Sequence, residues 1–402
     1  MRLEAALAYN RGVAYLEKKA YDKAIGFFKK SIALFPSKEA YLNIATCYRG
    51  IDRDTQCYTH LLLANSPTVP MLDGNFLEGD YTLALSNLGL YYYSVGNDTL
   101  AISHYRRALA IDPEYYSCAW NLSCALLRVA CSGHPEFFEE GWTLYQERFR
   151  KTPAIKIQLP NPNVQLWDGS QVDSILVYAE QGYGDNLMFA RYIPLLRNFC
   201  KNIFVQCNTD IAPLFACLGV TTVLDGRDAP ATHAIFMPSL AHIFPMMPGN
   251  WITGFSREPM TDINIGIVFS GNPNHANDHN RSVNPHRFHP LAKYANLWCL
   301  TPGFRGTKHI KSMGSGDWVS TAQACVNMDL VICVDTSIAH LCGSLGVECW
   351  LLQPLKDTDF RWGNNNSSHN AWYNSVSVYR NPNSWDEVFK QVISDVKDRF
   401  YG

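Results

Sequence analysis

The chain has 402 residues, 47% of them hydrophobic and 17% charged, with a formal net charge of −2. That length exceeds one ordinary core and predicts two or three domains, while the composition excludes a disordered or fibrous chain. The charge balance gives no overall basic field for nucleic acid or anionic membrane, and no apolar run approaches the ~18 residues of a membrane span.

The opening stretch MRLEAALAYNRG reads as an amphipathic helix with Glu4 inside it, not a secretory leader. From there AYNRGVAYLEKKAYDKAIGFFKKSIALFP recurs as ALSNLGLYYYSVGNDTLAISHYRRALAIDP. Gly12, Tyr15, Ala24, Phe28 and Pro36 align with Gly89, Tyr92, Ala101, Tyr105 and Pro113. Small residues let two helices cross closely, aromatics fill the gap between them, and proline ends the second helix. Weaker copies start near Ser37, keeping Ala45 and Tyr48, and near Tyr115, keeping Leu122 and ending in EEGWTLYQERFR. The spacing resembles the tetratricopeptide repeat. Asn10, Asn43, Asn87 and Asn121 share one position on the first helix of each copy. They form either an amide ladder for an extended peptide, acceptor or partner, or ordinary surface asparagines that need no ligand.

After the proline-rich joint KTPAIKIQLPNPNVQLWDG, short apolar runs alternate with amphipathic stretches. SILVYA, NIFVQC, VTTVLD and HAIFMP, then INIGIVFS, LWCLT, DLVICVD and CWLLQP, read as strands; NLMFARYIPLLRNFC and TSIAHLCGSLG read as helices. Such alternation implies parallel sheets with crossovers. The stretch PGNWITGFSREPMTD divides the strands into two Rossmann-like domains facing a cleft, and ligands bind beyond the carboxyl ends of such strands.

Three strand ends carry chemistry. In QGYGDN, Gly182 and Gly184 admit close backbone approach and Asp185 lies near a helix N-terminus. After INIGIVFS come Ser270, Gly271, Asn272 and Arg281, which are small, polar and cationic. After DLVICVD come Asp335, Thr336, Ser337 and, within about one turn, His340. Backbone N–H groups at such junctions favour phosphate oxygens. Singly, Asp185, Asp335 and Thr336 read equally well as helix caps and His340 as a satisfied helix histidine. Together, in order, at strand ends of two halves, they point to a nucleotide-binding cleft.

The thirteen cysteines form no C-x-x-C pair; Cys124, Cys325, Cys333 and Cys342 fall inside apolar stretches and read as small hydrophobes, and the setting reads as reducing and cytoplasmic. The pairs His275/His279 and His286/His289 read as polar loop residues, and Asp357–Asp359 as loop acids, with no metal site expected.

EEGWTLYQERFR, LWDG, AEQGYGDNLMFARYIPLL, GNPNHANDHNRS, CVDTSIAHLCGSLG and DFRW occur in this order, followed by AWYNSVSVYRNPNSWDEVF. The chain thereby resembles a bacterial or phage-type tetratricopeptide protein fused to a heptosyltransferase-like glycosyltransferase of the GT-B fold. The resemblance implies an α + α/β chain: helical repeats over 1–150, an acceptor-side Rossmann-like domain over 151–258 and a nucleotide-sugar domain over 259–402. It implies Asp185 as catalytic base. Gly182, Gly184, Ser270, Asn272, Asp335, Thr336, Ser337 and His340 would hold a nucleoside-diphosphate sugar, with Arg281 on the diphosphate. It implies metal-independent inverting transfer without a further cofactor, the repeats recruiting acceptor or partner protein. FSGNP and RWGNNNSSHN are richer in asparagine than the family pattern, which leaves the donor open. The acceptor is left open as well: a protein, a glycan or, for a viral gene, modified DNA. Two other readings stand beside this one: a non-catalytic repeat adaptor with a nucleotide-binding module, and a nucleotide-sugar epimerase. Residues from Gln158 onward are expected to bind donor by themselves.

Overall fold

The computed structural model describes every residue except 151–158, 276, 314–315, 355, 365–369 and 381–383. The chain divides into two compact units: Met1–Leu126 with Leu144–Lys156, and Leu127–Thr143 with Ile157–Gly402.

In the first unit, three helical hairpins follow one another. They are α1 (Arg2–Glu17) with α2 (Tyr21–Leu34), α3 (Lys38–Gly50) with α4 (Asp54–Asn65), and α5 (Thr82–Ser94) with α6 (Asp98–Ile111). Glycine sets the helix crossing in the first and third. A Cβ on Gly12 would lie 2.6 Å from the Phe28 ring, and one on Gly89 would lie 2.6 Å from the Tyr105 ring. The aligned glycine–aromatic pairs are therefore one packing unit used twice. In the second hairpin Lys38 is fully buried, and its Nζ donates to the carbonyls of Ala64 (3.2 Å) and Ser66 (2.5 Å). Those bonds satisfy carbonyls that the end of α4 leaves open. Helix α7 (Tyr116–Cys131) begins in the first unit and ends in the second, to which most of helix α8 (Phe138–Tyr145) also belongs.

The second unit holds two all-parallel sheets. The first comprises β1 (Gln165–Leu166), β2 (Ser174–Tyr178), β3 (Asn202–Gln206), β4 (Thr221–Val223) and β5 (His233–Phe236), in the order β1-β5-β2-β3-β4. The second comprises β6 (Asn264–Val268), β7 (Asn296–Cys299), β8 (Ile310–Ser312), β9 (Leu330–Val334), β10 (Cys349–Leu352) and β11 (Val376–Tyr379), in the order β11-β10-β9-β6-β7-β8. β2, β6, β9 and β10 are buried along their whole length, which is why they read as unbroken apolar runs. Helical repeats followed by two Rossmann-like sheets are the tetratricopeptide plus GT-B architecture.

The remaining helices are α9 (Tyr183–Phe189), α10 (Leu240–Ile243), α11 (Asp278–Arg281), α12 (Trp318–Asn327), α13 (Ser337–Leu345) and α14 (Trp385–Tyr401). The single helix expected over NLMFARYIPLLRNFC is shorter. α9 gives way to a 3-10 segment, Ala190–Asn198, that contains Pro194, a residue with no N–H for the α-helical ladder.

Residues 127–143 belong to the same compact unit as the sheets. Arg128 is fully buried, and its Nη1 donates to the Thr358 carbonyl (3.3 Å) and Oγ1 (3.1 Å). Ser132 Oγ accepts from the Asn364 N–H at 2.8 Å. Trp142 meets Phe189, Phe360 and Trp372 edge-on at 5.7, 6.1 and 6.1 Å. The thirteen cysteines are all free; eleven are buried, Cys124 is half-buried and Cys217 is exposed. Burial pushes the Cys47, Cys57 and Cys207 thiols up to about 11.

The cut expected at Gln158 lies outside the described residues, but it would remove Arg128, Ser132 and Trp142. A chain starting at Tyr116 should melt cooperatively and well above one starting at Gln158. Equal melting temperatures by scanning calorimetry would show that residues 127–143 are dispensable.

Candidate functional site

All three chemistry-bearing turns lie at points where strand order reverses. In the first sheet the chain leaves β2 for β3 on one side and returns to β5 on the other. In the second it leaves β6 for β7 and β8, then crosses to β9. Such reversals open a crevice at the carboxyl ends of the strands. The turns after β2, β6 and β9 line one cavity of about 1370 Å³, which takes in Gly182, Gly184, Asp185, Ser270, Asn272, Arg281, Asp335, Thr336, Ser337 and His340.

Helices α9 and α13 lie side by side and run the same way. Gly184 at the start of α9 meets Ser337 and His340 at the start of α13, and the Leu187 carbonyl accepts from Ser344 Oγ (3.2 Å) further along both. Trp251, in the segment between the sheets, donates its Nε1 to the same carbonyl at 2.8 Å, and its backbone N–H bonds Ser344 O at 2.9 Å. Both N-termini therefore open on the cavity. This changes the meaning of the glycines. The close approach at Gly184 is that of protein: a Cβ there would sit 2.8 Å from His340 Cδ2 and 3.5 Å from Ser337 Cα. Gly182 precedes α9 in extended conformation.

Asp185 combines two roles. Its Oδ2 accepts from the Gly182 N–H (2.9 Å), bracing the first turn of α9, and its Oδ1 accepts from Arg361 Nη2. Arg361, 8% exposed, also donates Nη1 to both Asp359 oxygens at 2.9 and 2.8 Å. Asp359, read from sequence as a loop acid, is thus a partner of the central arginine. Arg361 held no role in the sequence reading, although DFRW was singled out as a motif. Gln181 (φ +62°) and Asp357 (φ +54°), which both line the cavity, hold left-handed backbone, a strain that clusters at functional sites.

The group after β9 is more structural than expected. Thr336 caps α13 by accepting from the Ile338 N–H at 3.4 Å. Asp335 Oδ1 accepts from Trp362 Nε1 at 2.9 Å; burial, then the neighbouring Asp359, raises its carboxyl above the usual range. His340 is pressed between Gly184 and Trp362 (ring centroids 4.7 Å apart), with Nδ1 2.9 Å from the Tyr373 hydroxyl. Burial, then Arg361, pushes it down to about 3, so it stays neutral. Arg281, expected on the diphosphate, is already engaged. Nε pairs with Asp278 at 3.1 Å, and Nη1 holds the Asp335 carbonyl at 2.9 Å. Asn272 Oδ1 accepts from the Asn274 N–H at 3.0 Å, a local turn. Tyr183 packs on Trp318 across the cavity (5.0 Å), and its hydroxyl lies 3.1 Å from Asp210. Tyr183 sits between the two glycines of QGYGDN, but Trp318 lies 135 positions further on, and no sequence spacing pairs the two rings.

Six aspartates and two arginines line the cavity: Asp185, Asp210, Asp317, Asp335, Asp357 and Asp359 against Arg281 and Arg361. Among the described residues, no group of three or more His, Cys, Asp or Glu is placed to hold a metal ion. In the first unit, Asn43 Nδ2 donates to the Tyr9 hydroxyl and Asn87 Nδ2 to the Leu83 carbonyl, both at 2.8 Å. Those two amides already have partners inside the unit, whereas Asn10 is exposed and Asn121 half-buried.

Tetratricopeptide-repeat models match residues 5–38 and 82–115. No curated protein matches. Among solved structures, a mutant O-GlcNAc transferase of Thermobaculum terrenum is similar over 99% of this chain and 92% of its own, at 12% identity and a TM-score of 0.37. The first tetratricopeptide domain of Spaghetti (RPAP3), bound to an HSP90 peptide, is 21% identical over 32% of this chain and 96% of its own, with a TM-score of 0.28. MamA is 20% identical over 38% of this chain and 79% of its own, with a TM-score of 0.29. Likenesses of this strength identify no activity. No helix among the described residues is long and apolar enough to cross a membrane.

Two outcomes follow from the contact between α9 and α13. Gly184→Ala would force its new methyl onto His340, which Tyr373 and Trp362 hold in place; a loss of about 1–3 kcal/mol by denaturant titration is expected. His340 is neutral in the fold and titrates near 6.5 when unfolded, so the stability it contributes is complete above pH ~6.5 and is lost as pH falls towards 3. Between pH 7.5 and 5.5, wild type should therefore lose more stability than His340→Gln. Identical losses would mean that the ring is not buried in its neutral form.

Proposed function

We propose that the chain is a glycosyltransferase. It would move a sugar from a nucleoside-diphosphate sugar to an acceptor hydroxyl by one metal-independent inverting displacement. One observation carries the reading: the reversal points of two parallel sheets open on the same cavity, with a carboxylate from one half facing a strand-to-helix junction of the other. Asp185 would accept the hydroxyl proton as the acceptor oxygen bonds to the anomeric carbon. The departing diphosphate would be met by the N–H groups that begin α13, whose dipole favours negative charge. Tetratricopeptide repeats in the same chain suit recruitment of an acceptor or partner protein.

A second reading, a nucleotide-binding adaptor without catalysis, is favoured by one specific fact. Both Asp185 oxygens already accept hydrogen bonds, from Gly182 and from Arg361.

Thermal shift against UDP-, ADP-, GDP-, CDP- and dTDP-sugars is the first test, since a ligand at 100 times its Kd adds ~2.7 kcal/mol to native stability. With a binding donor in hand, Asp185→Asn should keep the fold while lowering transfer by a factor on the order of 100 or more. Near-wild-type turnover would remove Asp185 from catalysis. Donor binding without turnover in wild type, across protein and glycan acceptors, would favour the adaptor.

A further inference from the structure

Both arginines of the cleft are paired to carboxylates, so an arriving diphosphate must compete for one of them. Arg281 is badly placed to yield. Its Nη1 ties the Asp335 carbonyl to the loop after β6, and its guanidinium lies over Gly271, where a Cβ would come 2.5 Å from Nη2. Letting it go would undo the ends of two strands.

Arg361 is held differently. Its Nη1 is anchored on both oxygens of Asp359, two residues away in its own loop, whereas Nη2 reaches across the cleft to Asp185. Loss of the far contact leaves the near one intact. Asp185 in turn keeps the Gly182 N–H on Oδ2 when Oδ1 is released. A guanidinium suits such sharing, because its planar fork can serve a carboxylate on one edge and a phosphate on another.

We propose that Arg361 binds the diphosphate of the donor, exchanging Asp185 for a phosphate oxygen as the nucleotide enters; this rests on the transferase reading above. The exchange has a built-in order. Without donor, Nη2 occupies the oxygen that an acceptor hydroxyl would approach. With donor bound, Oδ1 is vacated in the same event that fills the cation. The base becomes available only when there is a sugar to transfer, so donor binding precedes productive acceptor binding.

Calorimetry on the full-length chain tests this with UDP, ADP, GDP, CDP and dTDP and with the corresponding nucleosides. For the diphosphate that wild type prefers, Arg361→Gln should weaken binding at least ~tenfold, and Arg361→Lys by less. Asp185→Asn should tighten it several-fold, because the competing carboxylate is gone. Affinity for the nucleoside should stay unchanged in all three. A merely structural Arg361 would weaken nucleoside and diphosphate alike, and Asp185→Asn would then give no gain; that pattern overturns the exchange. If wild type binds a diphosphate and both Arg361→Gln and Asp185→Asn bind it equally well, the exchange falls while the transferase reading stands. If wild type binds none of the five, both fall. Should Arg361→Gln fail to fold, the sign of the change in Asp185→Asn decides alone.

Discussion

The packing of α9 against α13 is the contact on which the rest of the cleft depends. A helix can lie this close to another only where one side gives up its Cβ, and Gly184 does so against His340. Once the two helices are in register, the Leu187 carbonyl can take two donors, Ser344 Oγ and Trp251 Nε1. The segment between the sheets is thereby fixed to both halves. The same register brings Asp185 from the first half within reach of Arg361 from the second. A neutral, buried His340 fits this place because a charged imidazolium beside Arg361 would be both desolvated and repelled.

The loop that carries Asp357, Asp359, Arg361 and Trp362 is held from behind by residues far away in sequence. Arg128 fixes Thr358, and Arg380 donates to the carbonyls of Trp362 (2.9 Å) and Gly363 (3.0 Å). Burial, then the nearby Arg128, pushes Arg380 down to about 10. Two arginines bonding the backbone of one loop is an expensive arrangement in desolvation, and it makes sense where that loop must present an ion pair in fixed geometry. Trp142 completes the support with edge-on contacts to Phe189 of α9 and Phe360 of the loop itself.

Much of this was legible in the sequence wherever a physical constraint repeats or is local. Gly12 with Phe28 and Gly89 with Tyr105 announced the helical hairpins because the same pair of sizes returns at the same spacing. β2, β6, β9 and β10 were readable because strands buried on both faces are unbroken apolar runs. β1 and β8 escaped because two or three residues carry little period, and β11, with four residues, was not read as a strand either. The placing of Asp185, Ser337 and His340 on one cavity was readable from strand ends, but their partners were not. Asp185 and Arg361 stand 176 positions apart, and no spacing rule connects them. Gly184 was readable as a place of close approach, yet a missing Cβ does not say whether a ligand or a helix fills the space.

One thiol stands outside the pattern of the others. With eleven cysteines buried and Cys124 half-buried, Cys217 offers an exposed sulfur for alkylation. It lies 3.8 Å from the Trp251 carbonyl, and Phe215, two residues before it, stacks on the Trp251 ring at 5.7 Å. A maleimide dye attached there in the native protein would report from the segment joining the two sheets. Any opening or closing of the halves on each other has to pass through that segment, so its emission would read domain motion in real time without an engineered cysteine.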